Sequence, residues 1–239
     1  MPTREEKLQA GALRITLKRP ASTLSKLEEP IHQLLGKPLP AEVRAIYERA
    51  DGLEYRCEAT AGELSGYDAT LVGLKGMFGG LHKGKFRAHK PLKSIAAFED
   101  DEMPGQPFYE EFWSENFELE SRKDLTRLNL LKRQKLLVSL PGESAYIGID
   151  FFDEKKEYSL NLLQDACDLH PLDLSLPDFV RYFSQFGSAR WYFAFLGKKA
   201  FASMNVDGPS ELAASLAFFE GHGAYVDDIH ALRARMKGR

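Results

Sequence analysis

The sequence predicts an α+β domain: antiparallel strands with helices packed on them, extended by a helical hairpin at the C-terminal end. Three observations lead there. β-rich segments at 136–140, 145–152 and 157–163 are separated only by a Pro141-Gly142 turn and a charged turn at 153–156, connections too short for helical crossovers, so neighbouring strands run antiparallel. Helically spaced apolar residues precede these segments at 24–35 and 43–50 and follow them at 176–186. Two more helix candidates, 209–219 and 225–236, flank Gly221-His222-Gly223.

Taken in order, Leu13, Ile15 and Leu17 alternate with Arg14, Thr16 and Lys18, the period of a half-buried strand ended by Pro20. Leu24, Leu27, Ile31, Leu34 and Leu35 then follow helical spacing up to Gly36, and Pro30 is expected to start, kink or split that helix. An extended Lys37-Pro38-Leu39-Pro40 link opens a second helix, whose stripe of Val43, Ile46, Tyr47 and Ala50 ends at Asp51-Gly52. From 53 to 98 glycines are frequent and short segments at 54–59, 67–74 and 93–98 read as strands. After the hairpins, Ser175 precedes Leu176-Pro177-Asp178, the start of a helix carrying Phe179, Val180, Tyr182, Phe183 and Phe186 and stopping at Gly187. In the tail, Tyr225, Ile229, Leu232 and Met236 could face the chain's own core or a second copy.

The 239 residues suit one large domain, or one domain with an appendage. A hydrophobic content of 44% with 28% charged residues excludes wholesale disorder and disulfide miniproteins. Cys57 and Cys167 form no CxxC pattern and read as reduced, partly buried thiols. Thirty-two basic against 35 acidic residues, a net charge of -3, argue against direct nucleic-acid binding and against an anionic membrane surface. The first twenty residues mix charges and lack the apolar stretch of a signal peptide, and apolar runs such as 191–196 are far too short to span a bilayer. The expected location is the cytoplasm.

No catalytic, cofactor or metal constellation is expected. The six histidines form no HxH, HExxH or HxxxH cluster. Cys167 and His170 are near in sequence, but the spacing supplies neither a placed base nor an orienting partner. The nearest approach to a phosphate loop is Gly73-Leu74-Lys75-Gly76-Met77-Phe78-Gly79-Gly80, continuing to Lys83-Gly84-Lys85-Phe86-Arg87. Its glycines and lysines could wrap an anion, but no Lys-Ser or Lys-Thr follows at the required spacing, and it reads as a loop between strands.

The strongest anomaly is the stretch 99–120, which holds nine acidic residues and no Lys or Arg among Phe108, Tyr109, Phe112, Trp113 and Phe117. Two readings stay open. Phe108 and Phe112 could line the core side of an amphipathic helix with a solvated acidic face. Alternatively Glu99, Asp100, Asp101, Glu102, Tyr109, Glu110, Glu111, Trp113 and Glu115 bind a partner. Nine like charges repel until a basic surface arrives, and aromatic anchors supply binding energy, so carboxylates would replace phosphates while Tyr and Trp fill base-stacking positions. Glu110 and Glu111 are adjacent and do not face one another on a helix, which argues against a carboxylate dyad. The following stretch, 122–135, reverses sign with six basic residues against Asp124, so the two could also pair internally.

Leu34-Leu35-Gly36, Leu39-Pro40, Ile46-Tyr47 and Asp51-Gly52 together resemble the amino-terminal signature of the SUKH superfamily. Tyr146-Ile147-Gly148-Ile149-Asp150, a charged turn, Tyr158-Ser159-Leu160-Asn161 and the helix from Leu176 are similar to the family's later order of strand, turn, strand and closing helix. Asp51-Gly52-Leu53 stands where the family more usually has Asn-Gly-Gly. The resemblance covers about residues 20–195. It implies a curved antiparallel sheet with helices packed on it over 1–195, with an N-terminal strand extension, and leaves 196–239 as a helical extension. It also implies a non-enzymatic role, since bacterial members are mostly immunity proteins that neutralise toxins and fungal members are regulatory scaffolds of cell-wall assembly. The expected partner is a toxin domain, with a nuclease as one fitting activity, bound by a monomer or homodimer. A regulatory scaffold of the same fold is the alternative, and an enzyme using the glycine-rich basic loop is a third.

Overall fold

The computed structural model describes residues 4–10, 13–59, 67–78, 122–140, 145–164, 168–203 and 207–237. Strands β1 (Arg4–Ala10), β2 (Leu13–Arg19), β3 (Leu53–Ala59), β4 (Ala69–Leu71), β5 (Lys135–Ser139), β6 (Ala145–Asp150), β7 (Ser159–Gln164) and β8 (Asp168–Leu172) form one eight-stranded sheet. Spatial order equals chain order, and every neighbouring pair is antiparallel. Helices α1 (Leu24–Leu35), α2 (Ala41–Arg49), α3 (Leu74–Met77), α4 (Arg122–Arg133), α5 (Leu176–Phe186), a 3-10 helix (Arg190–Phe195), α6 (Lys198–Ser203), α7 (Asp207–Gly221) and α8 (Val226–Lys237) complete an α+β fold with a C-terminal helical hairpin.

Period-2 patterning sets one core face of the sheet. Ile15 opposes Cys57 and Leu17 opposes Tyr55, while Ile147 opposes Leu162 and Ile149 opposes Leu160, and all eight are buried. Cys57 is thus fully rather than partly buried, and Cys167 lies outside the described residues. On the other face of β2 and β3, Arg14, Arg56 and Glu58 are exposed and Lys18 bonds Glu54 at 3.1 Å.

Pro30 does not divide α1 but lies inside it. An internal proline costs about 3 kcal/mol. Leu24 and Leu27 before it and Ile31 and Leu35 after it are all buried on one side, each worth about 1.5–3 kcal/mol, so packing holds the two halves in one helix. The strand expected over 67–74 shortens to β4, because Leu74 starts α3 instead. β7 starts at Ser159, two positions after the expected start. β1, β8, α4, α6 and the 3-10 helix were not anticipated. Pro171 hides β8 from a sequence reading, but an edge strand tolerates a residue with no N–H on its outer side. The strand expected at 93–98 lies outside the described residues.

Aromatic side chains join the C-terminal helices to the rest. Phe179 and Tyr182 of α5 pack on Trp191 with centroids 5.1 and 5.4 Å apart, and Phe186 packs on Phe219 and Tyr225 at 5.1 and 5.4 Å. Leu212, Leu216, Phe219, Ile229 and Leu232 are buried in the same cluster as the sheet residues, with Tyr225 and Met236 packed against it. Of the two uses open to the tail's apolar residues, the chain's own core is the one they serve.

Candidate functional site

Glu99, Asp100, Asp101, Glu102, Tyr109, Glu110, Glu111, Trp113 and Glu115 lie outside the described residues, as do Phe108, Phe112 and Phe117. The described chain resumes on either side of them. Phe78, just after α3, is buried and stacks on Phe151 at 5.6 Å, while α4 begins at Arg122. Of the six basic residues in 122–135, Arg133 donates from Nε (3.1 Å) and Nη2 to the Asp150 carboxylate of β6.

Tyr47, Asp51 and Gly52, three of the residues in the motifs of the resemblance, lie at one junction. Thr23 donates to Asp51 Oδ2 at 2.7 Å and the Leu74 N–H donates to Asp51 Oδ1 at 2.7 Å, so one carboxylate ties the start of α1 to the start of α3. The Asp51 N–H donates to the Pro20 carbonyl at 3.1 Å. Ser22 donates to the Tyr47 carbonyl at 2.6 Å, and the Tyr47 hydroxyl donates to the Val72 carbonyl at 2.8 Å. Complete burial pushes the Tyr47 phenol well above its ordinary range, with the Asp51 charge adding to the effect. Gly52 has φ +94°, and a Cβ there would come within 2.4 Å of the Leu71 carbonyl, so the position after Asp51 requires glycine.

This junction also accounts for the start of the glycine-rich basic loop. Gly73 precedes α3, the N–H of Leu74 is taken by Asp51, and Gly76 packs close to Val72. The rest of that loop, 79–87, lies outside the described residues.

A second polar assembly, which the sequence reading did not isolate, lies at the α4–β5 corner. Lys132 and Lys135 are each only 2% exposed, Gln134 is fully buried, and Asp150 and Asn161 are buried beside them in the sheet. Asp150 accepts from Arg133 and, through Oδ1, from the Phe152 N–H at 2.8 Å. Asn161 donates to Gln134 Oε1 at 3.0 Å, and Gln134 donates to the Leu130 carbonyl at 3.1 Å. Burial pushes the Lys135 ammonium down to about 8, opposed in part by Asp150. In sequence, Lys132-Arg133-Gln134-Lys135 looks like a solvated charge run. The available signal was Asp150 and Asn161, lone polar residues in apolar strands that need buried partners.

A polar groove of about 380 Å³ opens between the 153–156 turn, the start of β7, the end of β8, the start of α5 and the last turn of α8. Lys156, Tyr158, Ser159, Asp173, Asp178 and Arg235 line it. The Tyr158 hydroxyl donates to Glu42, accepts from the Leu176 N–H at 2.9 Å, and is pushed up to about 12, chiefly by burial. Ser175 donates to Asp178 at 2.9 Å, and Arg235 donates to Asp173 Oδ2 at 2.8 Å. These groups join secondary-structure elements to one another. Among the described residues, no three His, Cys, Asp or Glu side chains are grouped so as to hold a metal, and no helix is long and apolar enough to cross a membrane.

No family model matches the chain, and no solved structure matches it. A stretch of 83 residues, 34% of this chain, is 32% identical to probable maltase-glucoamylase 2 of Homo sapiens. The match spans 3% of that protein's length.

Proposed function

We propose that the chain is a non-enzymatic, cytoplasmic protein-binding module that binds and neutralises a bacterial toxin domain, in the manner of the SUKH immunity proteins its motifs resemble. One observation carries this reading: Tyr47, Asp51 and Gly52, quoted for the resemblance from sequence alone, converge with Thr23, Val72 and Leu74 on one hydrogen-bonded junction. The antiparallel sheet and the closing helix from Leu176 also follow the order that the resemblance implies.

The partner contact is assigned to the acidic and aromatic stretch 99–120. Its carboxylates would occupy the positions of phosphates in a basic active site, Tyr109 and Trp113 would provide desolvated anchors, and the bulk of the domain would block substrate entry. Co-expression with the toxin domain encoded beside it tests the proposal. Protection of the cells, together with a stoichiometric complex that dissociates as salt rises, is the expected result. Cells that die while the folded chain accumulates would sink the immunity reading.

A further inference from the structure

We draw no further inference here: the strongest candidate, the open polar groove between the 153–156 turn, the start of β7, the end of β8, the start of α5 and Arg235 of α8, already has Tyr158 bonded to Glu42, Ser175 to Asp178 and Arg235 to Asp173, and nothing in it points to a ligand.

Discussion

Gly73 lies so close to Asp51 that a Cβ on it would come within 2.8 Å of the Asp51 Oδ1 atom, the same atom that accepts the Leu74 N–H. Glycine at 73 and the carboxylate at 51 are therefore one device. Replacing Asp51 by Ala should cost about 1–2 kcal/mol, as for other helix-capping side chains, with the loss read from the urea midpoint. Asp51→Asn should cost clearly less, because an amide keeps an acceptor for Leu74 and can donate to the Thr23 hydroxyl. Gly73→Ala should cost about 1–3 kcal/mol by overpacking. Equal stability of Asp51→Ala and the parent would remove the junction from the determinants of the fold.

The buried Lys135 gives stability a distinctive pH dependence. Its folded-state value, about 8, is below the ordinary 10.5, so between those values the unfolded chain binds more protons than the folded one. Stability should therefore rise as pH rises from 8 towards 10. Above about 10 the trend should reverse, because Tyr158 and Tyr225, both pushed up to about 12, ionise earlier in the unfolded chain. Lys135→Met should stabilise the protein at pH 7 by about 2–3 kcal/mol and flatten the rise between pH 8 and 9.5. Denaturation midpoints of the two proteins across that range decide the matter, and parallel curves would show that Lys135 does not titrate there.

Arg235 fastens α8 to the far edge of the sheet. Its guanidinium donates to the Ala194 carbonyl at 3.1 Å, to the Asp173 carbonyl and carboxylate, and covers the Phe195 ring at 4.5 Å. The Asp173 side chain is 87% exposed, so its ion pair adds little, and the carbonyl bonds and ring contact should dominate. Arg235→Ala should cost about 1–2 kcal/mol and speed amide exchange in α8, whereas Asp173→Ala should change neither measurably. Arg235→Lys should recover only part of the loss, lacking the planar fork.

If 99–120 is the contact surface, replacing Glu110, Glu111 and Glu115 together by Lys should abolish binding to the toxin domain while leaving the urea midpoint unchanged. Affinity equal to that of the parent would take this segment out of the interface.

Where periodicity and local turn chemistry decide the structure, the sequence was readable. β2 and β3, the hairpins of β5 to β7, and α5 with its Ser175 cap all follow their patterns. Elements fixed by distant partners were not. Leu74 looks like the end of a strand until the Asp51 carboxylate, 23 positions earlier, takes its N–H. Residues 190–195 carry no period of their own, yet Trp191 to Phe195 are all buried because α5 and α7 enclose them. The α4–β5 corner is hidden for the same reason, since what makes Lys135 unusual is its burial in the folded chain, which Asp150 of β6 offsets only in part. The residues assigned to partner binding rest on charge segregation and interleaved aromatics, and they lie outside the described residues.

The sheet is a pure meander, so each strand needs only its sequence neighbour as a template, and most contacts close over short distances along the chain. Two pairs are exceptions: β2 and β3 flank 20–52, which holds α1 and α2, and the longest gap belongs to β4 and β5. These last two are joined through just two paired positions, Thr70 with Ser139 and Leu71 with Val138, across the whole stretch 72–134. Closing a longer loop costs little, about 0.6 kcal/mol for each doubling of its length. The stretch between β4 and β5 can therefore be lengthened, shortened or rewritten at little cost in loop closure while the pairing of the other strands stays untouched.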